Sequence, residues 1–176
     1  NANSINLQAN IIDISSNNLN TNSGNIQALG NINITSTNIY NQNGTILTNE
    51  NLNINSTGFF NNLNGILQAG KDIVLDLFNF ESDNSTIQAS NIDIKTNNLN
   101  LSDSYFQASN ILDINSINKI ELKDNTLIAN KLNLTSKDIF IDGTNKTKNI
   151  LYSTGDISIN SNELVTNNLL VQANND

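Results

Sequence analysis

Residues 85–104 read STIQASNIDIKTNNLNLSDS, and this stretch decides the fold. Ile87-Gln88-Ala89 alternates apolar, polar, small, as a half-buried strand must with its period of two. Ser90-Asn91 supplies a turn. Ile92-Asp93-Ile94 is a second strand with its carboxylate outward, 95–98 turn again, and Leu99-Asn100-Leu101 is a third strand. Ser102-Asp103-Ser104 closes the unit. Three short strands and three polar turns make one triangular rung.

The opening phrase, a large apolar residue, a spacer and a small residue, recurs nine times along the 176 residues. The small residues are Ala9, Ala28, Thr48, Ala69, Ala89, Ala108, Ala129, Ser153 and Ala173, which places them 19, 20, 21, 20, 19, 21, 24 and 20 apart. A period that persists over a whole chain signals a solenoid, because each unit buries its apolar face only against the next. Second strands recur as Ile12-Asp13-Ile14, Ile32-Asn33-Ile34 and Leu132-Asn133-Leu134, among others. Third strands are less regular. Phe78-Asn79-Phe80, Ile120-Glu121-Leu122 and Ile139-Phe140-Ile141 fit well, whereas the segments around Ile39, Phe59 and Leu164 fit loosely. The 24-residue gap reflects an insertion at 144–149.

Strands of about three residues are too short to form stable hairpins alone. Turns of Asn, Ser, Asp and Gly tolerate left-handed backbone, and the absence of proline suits strands that all donate their N–H groups. The expected fold is therefore all-β, a three-sided parallel β-helix of about 8–9 coils over 1–176, a rod about 40 Å long at the usual strand spacing. Stacking predicts an outward column of Gln8, Gln27, Gln68, Gln88, Gln107 and Gln172, broken by Leu47, Ile128 and Tyr152. Asn ladders in the turns are expected as well.

Composition narrows the function. The net charge of −8 and a pI near 4.2 argue against nucleic acid or an anionic membrane as partner. Cys is absent, so no disulfide or thiol chemistry arises. Arg, His, Met, Trp and Pro are also missing, and no apolar run is long enough to span a bilayer. The chain opens at Asn1 without a signal sequence and stops just after its ninth phrase, so it reads as a segment of a longer rod. Asn accounts for 41 residues, but the apolar residues keep register with the repeat, which speaks against a disordered polar tract.

Leu67-Gln68-Ala69-Gly70-Lys71-Asp72-Ile73-Val74-Leu75 and Ser153-Thr154-Gly155-Asp156-Ile157-Ser158-Ile159 carry a pattern that resembles the filamentous haemagglutinin repeats of two-partner secretion exoproteins. The resemblance covers nearly the whole chain. It implies a right-handed coil, export through an outer-membrane transporter partner, and a place on the exterior of Gram-negative cells. It further implies an adhesin or a contact-dependent growth inhibition stick protein. Partners would then be adjoining coils of the parent protein and a receptor or glycan on a host or neighbouring cell. The family's secretion module, with its Asn-Pro-type motifs, is not expected in a chain without proline, and no toxin-like domain is visible.

Enzymatic chemistry is the main rival, because polysaccharide lyases and hydrolases also use β-helices. The missing Arg and His remove the commonest acid–base and anion-stabilising groups, and no catalytic residue or cofactor is expected. Asp93 and Asp113 are the only metal candidates, as outward neighbours on adjacent rungs in a column with Asp13, Asn33, Asn53 and Asn133. Alternation predicts that Tyr40, Phe60, Phe140 and Tyr152 face outward as contact aromatics. Asn-x-Ser/Thr occurs seven times, including Asn145, about as often as 41 Asn and 31 Ser plus Thr in 176 residues produce by chance. Thr columns suited to ice do not align. The expected role is a structural shaft, with a carbohydrate-active or carbohydrate-binding β-helix as the alternative.

Overall fold

A computed structural model describes residues 5–144 and 148–174. The sequon at Asn145 and the centre of the 144–149 insertion lie outside the described residues. Every regular element described is a strand, and every strand pairing is parallel. Three ladders run side by side along the molecule. The first wall climbs from Asn6–Ala9 to Leu169–Ala173, the second from Ile12 to Ile157–Asn160, and the third from Leu19 to Glu163–Asn167. The chain is a parallel β-solenoid of about eight turns.

The repeat read from the sequence is the register of the structure. Ala9 pairs with Ala28, Ala28 with Thr48 and Thr48 with Ala69; higher up, Ala129 pairs with Ser153 and Ser153 with Ala173. Between the terminal coils, where Ala9 and Ala173 are exposed, these small residues sit inside a corner, with Ala28 and Ala108 each 2% exposed. Where a hydroxyl replaces the alanine it turns onto a corner carbonyl: Thr48 Oγ1 donates to Gly30 O and Ser153 Oγ to Asn130 O.

The corners differ from the expected three turns. Thr86–Ser102 and Tyr105–Lys123 each run unbroken round two corners, with register shifts at Ala108/Ile111 and Ser116/Lys119. Those corners are bulges, because the neighbouring coil still satisfies their backbone: Ser90 N donates to Lys71 O at 2.7 Å. In six other coils the first corner does interrupt the strand, as between Ala28 and Ile32, and the third corner is the one with left-handed backbone. There Ser23, Asn43, Asn64, Asn84, Asp103 and Asp124 occupy the same place in successive coils, all with φ between 47° and 56°. Asn and Asp are the non-glycine residues that enter this region most readily.

Apolar side chains fill the interior continuously. Ile26, Ile46, Leu67, Ile87, Phe106 and Leu127 form one fully buried column, and Ile32, Leu52, Ile73 and Leu112 another. Each contributes about 1.5–3 kcal/mol by leaving water.

The third wall corrects two expectations. Phe60 does not face out. It is fully buried and stacks on Phe80, ring centroids 5.1 Å apart at 22°. The cause is one extra residue at the second corner. Relative to Ser36 and Ile39, the coil holding Ser56 needs one more residue to reach the wall, so Ile39 pairs with Phe60 and Phe80 with Leu99. Carrying over the three-residue step from Ser36 to Ile39 puts Phe59 inward and Phe60 outward, which is the wrong phase for this coil. Phe78, read as an inward strand residue, lies on the corner instead and is 49% exposed.

Candidate functional surfaces

The Asn ladder expected in the turns is present at the third corner, but it lies inside the molecule and includes Ser and Thr, which the sequence reading did not foresee. At the third corner Thr21 Oγ1 donates to Asn41 Oδ1 at 2.7 Å, and Asn41 Nδ2 donates to Asn62 Oδ1 at 2.8 Å. Asn62 Nδ2 reaches Ser82 Oγ at 3.4 Å, Ser82 meets Ser85, and Ser85 Oγ lies 3.1 Å from Ser104 Oγ. The chain of bonds continues as Ser104 N donates to Asn125 Oδ1 and Asn125 N to Asn149 Oδ1, at 3.0 and 2.9 Å. All eight side chains are buried, and each amide finds partners, as burial demands.

Two positions of the corner share this space. Early coils combine Asn41 with Gly44 and Asn62 with Gly65; the middle coil has Ser82 with Ser85; later coils have Leu101 with Ser104 and Leu122 with Asn125. The amide thus moves from one strand end to the next, and the position facing it changes from glycine to leucine. A Cβ on Gly44 would lie 2.1 Å from Asn41 Oδ1, and one on Gly65 2.0 Å from Asn62 Oδ1. This pairing of Asn with Gly was the signal available in the sequence. The ladder is sealed from solvent and serves cohesion.

Asp93 and Asp113 are brought together as expected, paired on adjacent rungs of the second wall. Asp93 already has a cation, because Lys95 Nζ sits 2.9 Å from its Oδ2. That hydrogen bond, with the attendant charge attraction, holds the Lys95 ammonium above its usual pKa. Burial chiefly, and then the Asp93 charge, push the Asp113 carboxyl up. Among the described residues no group of three or more His, Cys, Asp or Glu converges as a metal site would require. Below them Asn33 Nδ2 donates to Asp13 Oδ1 at 2.7 Å and Asn53 Nδ2 to Asn33 Oδ1 at 2.8 Å, an outer amide ladder.

The other expected contact aromatics divide. Tyr40 is 40% exposed on the third wall, while Phe140 on that wall and Tyr152 on the first are half-buried. An open depression on the third wall is lined by Phe59, Glu81, Asn100, Lys119 and Glu121, with Lys119 Nζ 2.9 Å from Glu121 Oε1. Carboxylates and a lysine do meet there, although the lysine is spent on its neighbour.

The first wall is chemically distinct. Its nine strands present two outward positions each, eighteen in all, and none carries a charge. The glutamine column lies in the expected register along it, including its Leu47, Ile128 and Tyr152 interruptions. Gln88 Nε2 donates to Gln107 Oε1 at 3.2 Å. No helix is long and apolar enough to cross a membrane among the described residues. Compared with protein-family models, curated proteins and solved structures, the chain matches none.

Proposed function

We propose that this chain is a shaft: a spacer within a secreted, cell-surface exoprotein of the filamentous haemagglutinin type, an adhesin or a contact-dependent inhibition protein. It would hold distal binding regions away from the cell, after export through an outer-membrane transporter. The observation that supports this reading is the uninterrupted rung-to-rung register of all three walls, with side chains filling the interior throughout. A stack in which each coil touches only its neighbours gains length without changing its surroundings. Reach is then the property the molecule supplies.

Removing one coil tests the reading. Deletion of 86–104 joins Ser85 to Tyr105 in equivalent phase. The expected product keeps its circular-dichroism spectrum and is shorter by about 4.8 Å in small-angle scattering. Neither form releases reducing ends from neutral or acidic polysaccharides. Measurable depolymerisation by the parent chain defeats the proposal, and so does collapse of the one-coil deletion.

A second reading, a carbohydrate-binding β-helix, is favoured by the third-wall depression, where Phe59 adjoins Glu81, Asn100 and the Lys119–Glu121 pair. Saturable oligosaccharide binding that disappears in Lys119→Ala would select it.

A further inference from the structure

The first wall is a parallel sheet face whose outward residues are Gln, Asn, Thr, Tyr, Leu and Ile alone. Charge is excluded from it although the chain carries 16 acidic residues and eight lysines. The other walls present Asp76, Asp93, Lys95, Glu81 and Glu121 outward. Its upper rungs grow apolar, with Tyr105, Ile128, Ile150 and Tyr152 half-buried, and lower down Ile66 is 40% exposed.

We infer that the first wall is a lateral pairing face, on which a second copy of this chain packs sheet against sheet. Two arguments select a second copy. Electrostatics comes first: molecules of net charge −8 repel one another, and on this wall alone no like charges are pressed together as the copies close. Size is the second argument. Four residues at about 3.3 Å and eight rung spacings of about 4.8 Å give a face near 500 Å². Two copies therefore bury about 1,000 Å², the lower bound for a specific interface and the range of weak, reversible pairs. Sheets packed about 10 Å apart would interdigitate the glutamine and tyrosine columns in the way aligned sheets do. This inference does not depend on the shaft reading, since a solitary rod also makes a spacer.

Small-angle scattering of the 176-residue chain up to about 1 mM tests it, because that range reveals weak pairs. The expected result is a cross-sectional radius that grows with concentration. Gln88→Glu with Gln107→Glu places four carboxylates between the copies and weakens pairing by at least about 100-fold, like-charge contacts costing several kcal/mol. Asn115→Glu with Ser158→Glu adds the same charge on the second wall and leaves pairing intact. Should the first variant lose its circular-dichroism spectrum, Thr86→Lys with Thr126→Lys repeats the test. A parent chain of constant cross-section overturns the inference, as does pairing that survives in the charged first-wall variants. Retention of a monomeric parent on an insoluble neutral polysaccharide, lost in the same variants, also overturns it and assigns the wall to a glycan.

Discussion

Replacing Gly44 with serine should break the buried ladder, and the damage should be repaired from the other side of the corner. Gly44 has no positive φ, so its backbone suits any L residue; space alone excludes a side chain. A Cβ there would stand 2.1 Å from Asn41 Oδ1 and 2.5 Å from Thr21 O. Asn41 must swing away, and the Thr21 carbonyl, being backbone, yields only by a local shift of the coil below. That forfeits the bonds from Thr21 Oγ1, to Asn62 Oδ1 and to Gly44 O, of 2.7, 2.8 and 3.2 Å. Three bonds at about 1 kcal/mol each, with about 1–3 kcal/mol of overpacking, put the cost near 4–6 kcal/mol. Asn41→Ser alone loses amide bonds and leaves a small void, about 2 kcal/mol. Combined, the two substitutions reproduce the Ser82–Ser85 solution found two coils on. The double variant should therefore recover about 2–3 kcal/mol relative to the sum of the singles. Urea unfolding followed by circular dichroism supplies the cycle, with m-values compared to detect separate melting of coils. A Gly44→Ser cost below about 0.5 kcal/mol, or singles that simply add, would refute the volume-exchange reasoning.

Other consequences are open to measurement. Phe60→Ala should lower stability by about 3–5 kcal/mol, through lost burial and lost stacking on Phe80; a change under about 1 kcal/mol would mean the ring is not interior. Asp113 is held above its ordinary 3.8, so folding favours its protonated form; that contribution is complete below about 3.8 and fades as pH rises through the folded value. Asp113→Asn, which gains an amide able to donate to Asp93, should accordingly be more stable than the parent near neutral pH and level with it at about pH 3, the gain being small because solvent screens this half-exposed pair. An unchanged gap at both pH values would count against it. Purified alone, the 176-residue polypeptide exposes the strand edges of its terminal coils and, near one of them, Leu164, Val165 and Leu170. Sedimentation should show association that rises with concentration and lengthens the particle; a species of single length throughout would disprove it.

The walls were legible because burial imposes a period of two within strands and the stack imposes a period near 20 between them. Both leave apolar residues such as Ile87, Ile92 and Leu99 at countable places. Phe60 was misplaced because a single inserted residue at a corner reverses inside and outside, and no composition signal marks it. Asn ladders were expected in the turns, but nothing marked Asn41, Asn62, Asn125 and Asn149 as buried, because asparagine serves exposed turns and sealed amide ladders equally well. Only the alternation of Asn with Gly across the corner separates the two uses. The Asp93–Asp113 adjacency followed from register, but the Lys95 contact needed side-chain positions.

The migrating amide has a bearing on assembly. A stack of near-identical coils invites misthreading, in which a segment docks one storey too high and still finds apolar partners and strand edges. Such a slip would bring Asn62 under Leu101 or Gly65 beneath Ser104, leaving an amide orphaned or a hole unfilled. The changing residue pairs at that corner thus act as floor numbers, each landing accepting its own successor and penalising the others.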